Sequence, residues 1–107
     1  MELRKINDDV KAAHDLYAGA LHTRLKAEAT RRQILECGKN AVAANKDEKG
    51  KAPSEAACER TAKGTPDYIA AVDAEVDAQA AQEKALSELQ YAQRTFELSK
   101  LSVSCGA

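Results

Sequence analysis

The sequence contains few aromatic residues and few residues that interrupt a helix. Its 107 residues include one Phe, three Tyr and no Trp, and only two prolines and five glycines. The scarcity of proline leaves long stretches that a helix can cross without a break. Much of the 44% hydrophobic content is alanine, which buries little area, so the composition excludes a large aromatic core. We therefore expect a thin core and a chain that associates with itself or with a partner.

Metal-binding cysteine pairs, a signal peptide and a membrane span are also missing. Cys37, Cys58 and Cys105 show no CxxC spacing and have no adjacent histidine, so a zinc site is not expected. The odd number of cysteines and the lack of a signal sequence predict a reducing cytoplasm. We interpret Cys37 and Cys58 as small buried residues in preference to a functional disulfide, and the role of the cysteines stays open. No apolar run is long enough to span a bilayer, so no membrane partner is expected.

Recognisable catalytic patterns are absent as well. The sequence contains no nucleophile–base pair, no glycine-rich phosphate loop and no HExxH motif. His14 and His22 are eight residues apart, on roughly one side of a helix, and we favour a solvated surface over a metal site there. We therefore predict a protein that is not an enzyme and that has no cofactor and no metal.

Residues 2 to about 46 are predicted to form one long helix. Only Gly19 and Gly38 disfavour it, at a cost of about 1 kcal/mol each. Its apolar positions follow a spacing of three or four, with a gap near residues 28–32. These positions are Ile6, Val10, Ala13, Tyr17, Leu21, Leu25, Leu35 and Val42. A polar turn over residues 47–53 follows, with Gly50 as a helix-ending residue.

Residues 53–76 are the most informative segment because they begin a helix twice. Ser54 starts a short helix over about 54–63, and Gly64 ends it. Thr65 is then a good N-cap, Pro66 suits the first helical position, and Asp67 complements the helix N-terminus. The second long helix is predicted over about 66–103. Its apolar positions are Ile69, Val72, Val76, Ala80, Leu86, Leu89, Phe96 and Val103, with Tyr91, Leu98 and Leu101 on a neighbouring stripe.

The fold class predicted from these patterns is all-α. Residues 1–107 form a single domain, a long helical hairpin of two antiparallel helices with a short helix near the turn. The apolar stripe of the last helix is wide enough to serve both the first helix and another subunit. We therefore expect the hairpins to assemble into a helical bundle, with an oligomer number that the pattern leaves open.

Charge is unevenly distributed although the net charge is −1. Residues 22–63 carry ten basic and six acidic residues, whereas residues 64–107 carry three basic and seven acidic ones. The basic region can contact phosphates without reading sequence, and the alternative is a pair of solvated helices that attract each other. The candidate nucleic-acid-binding residues are Arg24, Arg31, Arg32, Lys39, Lys46, Lys49, Lys51, Arg60 and Lys63. Tyr68 is the aromatic residue nearest to them, and we expect it to pack rather than to stack on a base.

The order of these parts carries a family resemblance. A charged turn leads into GKAPSEAACERTAKGTPDY, and an Ala- and Glu-rich helix follows with LSELQYAQRTFEL near its end. This order resembles the small helical-hairpin proteins of phage recombination and replication gene clusters, and it is similar to recombination mediators of the UvsY type. The resemblance covers about residues 14–103. It implies a hairpin that self-assembles, binds single-stranded DNA and helps to load a RecA-like recombinase, in the host-cell cytoplasm.

Two functional hypotheses follow. In the first, a recombination accessory protein holds DNA phosphates with the basic residues, and acidic positions of the last helix (Asp73, Glu75, Asp77 and Glu83) meet the recombinase. The residues expected to assemble its subunits are Leu86, Leu89, Phe96, Leu98 and Leu101. In the second, the hairpin is a coiled-coil interaction module that binds no nucleic acid, such as an adaptor, a virion component or a small inhibitor of a host enzyme. The sequence leaves the partner unidentified.

Overall fold

A computed structural model describes residues 3–47 and 49–106, with side chains through residue 102, and it confirms the predicted fold class. Three α-helices follow one another: α1 (Leu3–Ala43), α2 (Glu55–Lys63) and α3 (Pro66–Gly106). The two long helices pack against each other as a hairpin, and the described residues contain no β-strand. α1 runs through Gly38 without a break and ends three residues earlier than predicted, whereas α3 extends three residues further.

The turn after α1 is organised by one carboxylate. Oδ1 of Asp47 accepts hydrogen bonds from the backbone N–H groups of Lys49 (2.9 Å) and Lys51 (2.8 Å). Gly50 has a φ of +74°, which L-residues with a side chain rarely adopt, and its N–H donates to the carbonyl of Asp47. Gly50 therefore closes this turn and does not end α1, which stops seven residues before it.

The helix starts predicted from residues 53–67 are confirmed. The Ser54 hydroxyl accepts a hydrogen bond from the N–H of Ala57 at 3.2 Å, which makes it the N-cap of α2. The Thr65 hydroxyl accepts from the N–H of Tyr68 at 3.3 Å and donates to the Ala62 carbonyl at 2.8 Å. One side chain thus caps the start of α3 and holds the end of α2, so the break between the two helices is short.

The chain forms two compact units. The terminal unit combines α1 up to Arg24 with α3 from Ala78 onward, and the turn unit spans Leu25–Asp77. In the turn unit, the residues that face the neighbouring helices recur at spacings of three and four, and all are buried or half-buried. They include Ala27, Arg31, Ile34 and Gly38 of α1, Cys58 and Ala62 of α2, and Tyr68, Ala71 and Glu75 of α3.

The same spacing describes the terminal unit. Its buried and half-buried positions include Ile6, Val10, Ala13, Tyr17 and Ala20 of α1, and Ala78, Gln82, Ala85, Leu89, Ala92 and Phe96 of α3. Alanine recurs every seven residues at 78, 85 and 92, and such small side chains let two helices approach closely. The core is correspondingly thin: among the described residues, no large side chain is completely buried.

In the first half of α3, the apolar stripe identified in the sequence does not coincide with the buried side of the helix. Ile69 and Val76 are 52% and 57% exposed, and Leu86 is 36% exposed. Alanines on the opposite side of the helix, Ala71 and Ala78, are buried instead. Small residues therefore form much of the contact surface there.

Two glycines of α1 give a matched pair for testing this close packing. A Cβ added at Gly38 would lie 3.0 Å from the Cβ of Ala62 on α2, whereas one added at Gly19 meets nothing within 4 Å. Gly19→Ala should raise the free energy of unfolding by about 0.5–1 kcal/mol through helix propensity. Gly38→Val should lower it by about 1–3 kcal/mol because α2 must move. Urea denaturation measures both changes, and a Gly38→Val variant no less stable than the wild type would contradict the close contact.

Candidate nucleic-acid and assembly surfaces

Arg31 lies in the contact surface of the turn unit, where its guanidinium group forms an ion pair with the carboxylate of Glu75. Nε of Arg31 donates to Oε2 of Glu75, and the two side chains are 24% and 23% exposed. Side-chain hydrogen bonds to Glu75 and then to Tyr68 raise the pKa of Arg31 above its ordinary value. The positive charge of Arg31, which we predicted would contact phosphate, is therefore paired with a carboxylate of the same chain.

Three more of the predicted phosphate contacts lie beside carboxylates: Arg32, Lys39 and Lys63. Arg32 is 2.6 Å from Glu28, one turn earlier on α1. Lys39 of α1 lies 3.5 Å from Glu36 and 3.8 Å from Glu55. Because these pairs are at least partly exposed, each contributes little to stability, but each lowers the local positive charge.

Lys63 pairs with Glu59 at 2.8 Å on α2. The Lys63 hydrogen bond and its charge lower the pKa of Glu59, and Glu59 raises the pKa of Lys63 in the same way. Both groups are therefore charged across the neutral pH range, and their opposite charges largely cancel in the electrostatic potential around α2.

Four of the remaining basic candidates lie in the turn unit, three in the turn after α1 and one on α2. Lys46, Lys49, Lys51 and Arg60 are exposed, and none of them makes an ion pair with another described residue. We call these four residues the lysine turn. Arg24 lies apart from them, half-buried on α1 in the terminal unit.

Tyr68 does not provide a stacking platform for the lysine turn. It is half-buried in the first turn of α3, where it contacts Arg31. No other aromatic residue occurs between Leu25 and Asp77. The half-burial of Tyr68 agrees with the expectation that it packs within the fold.

The predicted assembly residues divide between two sides of α3. Leu89 is only 5% exposed, within the core of the terminal unit. Phe96 is half-buried, with Nζ of Lys100 5.5 Å from its ring centroid. Leu86, Leu98 and Leu101 are exposed. Leu89 was predicted to contact another subunit, and this is corrected: its side chain packs within its own chain.

A continuous exposed surface on α3 is built around the neighbouring stripe identified in the sequence. Tyr91 is 71% exposed, Leu98 61% and Leu101 59%. With their exposed neighbours at the same three- and four-residue spacing they form what we call the outer face of α3. It consists of Ala80, Glu83, Ser87, Tyr91, Arg94, Leu98 and Leu101. The seven-residue recurrence of alanine at 71, 78, 85 and 92 was the signal in the sequence that points to it, because those alanines mark the opposite side.

The acidic candidates on α3 are also divided. Asp73, Asp77 and Glu83 are exposed, whereas Glu75 forms the ion pair with Arg31. Three of the four acidic candidates are therefore exposed.

The other candidate groups of the sequence are dispersed. His14 and His22 are exposed on α1, and the described residues contain no group of three metal-binding side chains. Cys37 is exposed and Cys58 is buried, both as free thiols, and Sγ of Cys58 lies 3.8 Å from the Pro53 carbonyl. The side chain of Cys105 lies outside the described residues. None of the described helices has the length and apolar character that crossing a membrane requires.

Comparison with known proteins adds no assignment. No protein-family model, no curated protein and no solved structure matches this chain.

Proposed function

We propose that this chain is a non-enzymatic helical-hairpin interaction protein that docks onto a protein partner through the outer face of α3. The observation that supports this most directly is the exposure of Tyr91, Leu98 and Leu101 on one side of a helix. The opposite side of that helix already packs within the hairpin through Leu89 and its neighbouring alanines.

The chain exposes several of its few large apolar side chains on the outer face of α3. Scattered exposed leucines are normal, but contiguous exposed apolar side chains on one helix face are typical of interaction sites. Here Leu98 follows Tyr91 by seven residues and Leu101 follows Leu98 by three, so all three lie on one side of α3. Burial of this side against a partner supplies the apolar contact that the thin core lacks.

The test is a comparison of two double variants in protein capture. Tyr91→Ser with Leu98→Ser removes the apolar part of the outer face, and the matched control Leu3→Ser with Leu16→Ser removes two exposed apolar residues of α1. We expect the first variant, and not the second, to lose proteins that the wild type binds, including other copies of itself. Equal binding by both variants, with helicity unchanged by circular dichroism, would contradict the proposal.

A second candidate function is the binding of single-stranded DNA as a recombination accessory protein. The lysine turn supports it, because its four cations are exposed and have no carboxylate partner among the described residues. The resemblance to recombination mediators points the same way, and a RecA-like recombinase would then be the partner on α3. Four cations without an aromatic platform predict weak, salt-sensitive binding by one chain, strengthened when several chains bind one strand.

Fluorescence anisotropy of a labelled single-stranded oligonucleotide tests the second candidate. Replacing Lys46, Lys49 and Lys51 with Ala should reduce the slope of log affinity against log salt by about 2, since each lost phosphate contact removes about 0.7. The matched control replaces Lys5, Lys11 and Lys84, which are exposed lysines of the terminal unit. Absence of binding by the wild type at low salt, or equal loss in both variants, would remove the DNA-binding function.

A further inference from the structure

We infer that the partner on the outer face of α3 is a second copy of this chain, docked antiparallel about a two-fold axis midway between Glu83 and Arg94. This inference rests on the proposed function, because it names the occupant of the same surface. Two properties of the outer face support it: the arrangement of its charges and the arrangement of its side-chain sizes.

The charges of the outer face are complementary to themselves only in the antiparallel orientation. Glu83 and Arg94 are eleven residues apart, about three helical turns, so they lie on the same side of α3. Both are exposed, and neither makes an ion pair with another described residue. A two-fold axis midway between them places each Glu83 beside the other copy's Arg94. A parallel pairing would instead set like charges against each other.

Side-chain size also differs between the two halves of the outer face, in a way that favours the antiparallel orientation. Within the terminal unit, the C-terminal half of the outer face carries the large residues Tyr91 and Leu98, whereas its N-terminal half carries Ala80 and Ser87. Antiparallel docking lays the large half of one copy over the small half of the other, twice by symmetry. This arrangement packs side chains into available space, whereas a parallel pair would crowd the large halves and leave the small halves without contact.

The contact also agrees with the way α3 is built. Its buried side already uses alanines at seven-residue spacing to pack within one chain. The outer face repeats a spacing of three and four residues, which is the pattern of a second helix–helix contact. One helix thus carries a close alanine-rich contact within the hairpin and a larger-residue contact between hairpins.

Charge reversal tests the orientation. Sedimentation velocity of the purified full chain should show a dimer for the wild type at about 100 µM, a concentration at which modest interfaces associate. Glu83→Arg or Arg94→Glu alone should each weaken dimerisation by about tenfold or more, because each creates two like-charge contacts. The double variant Glu83→Arg with Arg94→Glu should recover the wild-type dimer. The matched control Glu88→Arg reverses another exposed glutamate of α3, about 140° around the helix from Glu83, and should leave dimerisation unchanged.

Each outcome is decisive. A monomeric wild type, a Glu83→Arg variant no weaker than Glu88→Arg, or a double variant that fails to recover would overturn the inference. The proposed function survives such a result if Tyr91→Ser with Leu98→Ser still abolishes binding of a different protein. If that variant changes neither dimerisation nor capture, the interaction function fails as well. Circular dichroism of every variant checks that the hairpin is folded, which these exposed positions predict.

Discussion

Replacing Leu89 with Ala is expected to lower the free energy of unfolding by about 2–4 kcal/mol. Leu89 is the most deeply buried leucine of α3, at 5% exposure, and its removal leaves a cavity in a core otherwise built mostly from small side chains. For a domain of this size, a loss of that amount lowers the midpoint of thermal unfolding by roughly 10–20 °C. Urea and thermal denaturation at low protein concentration measure the effect without a contribution from association.

Leu98→Ala is the matched control, because it removes the same side chain from the outer face of the same helix. Leu98 is 61% exposed, so the change in the free energy of unfolding should stay within about 0.5 kcal/mol. Association at high concentration should weaken for Leu98→Ala. If Leu89→Ala instead left stability intact and changed only the oligomeric state, Leu89 would belong to a subunit contact, as its position in the sequence first suggested.

Removing Arg31 should give the second large effect. Arg31→Ala leaves the carboxylate of Glu75, which is mostly buried in the intact pair, without its guanidinium partner. A hydrogen-bonded charge pair in this position should contribute about 1–2 kcal/mol to the free energy of unfolding, after allowance for the quarter of each side chain that water reaches. Denaturation of Arg31→Ala, Glu75→Ala and the double variant yields the coupling energy, which should be about 1 kcal/mol.

Arg32 provides the control for Arg31, since it is the next residue and its partner Glu28 is one turn away. Arg32 is 70% exposed, so Arg32→Ala should cost less than about 0.5 kcal/mol. Oligonucleotide affinity separates structure from binding: Arg31→Ala should destabilise the fold and leave phosphate binding unchanged. Loss of binding by Arg31→Ala at temperatures where the hairpin is folded would mean that Arg31 contacts phosphate, against its geometry.

The ends of the helices followed from short-range chemistry and were predictable. A hydroxyl at Ser54 or Thr65 reaches the N–H group three residues later along its own chain, so the neighbouring residues suffice to recognise a cap. The end of α1 was less accurate: the polar residues after Ala43 are compatible with a longer helix. The hydrogen bonds of Asp47 organise the turn there instead.

The candidate surfaces were predictable only in part. Lys46, Lys49 and Lys51 belong to a polar turn, and exposure follows from that position. The ion pair of Arg31 could not be predicted in this way, because its partner Glu75 is 44 residues away in the chain. A gap in the apolar pattern near residues 28–32 marked the place, and the structure shows that an ion pair fills it.

Local sequence patterns thus determined that this chain is an all-α hairpin, where its short helix begins, and that its turn is basic and exposed. These properties depend on backbone propensity and on contacts a few residues long. The tertiary structure decided which side of α3 faces inward and which charges are already paired. A helix with apolar residues on two sides offers two possible inner faces. The choice between them depends on how closely the neighbouring helix approaches: here the approach is close enough that alanine packs inside and the larger Tyr91, Leu98 and Leu101 stay outside.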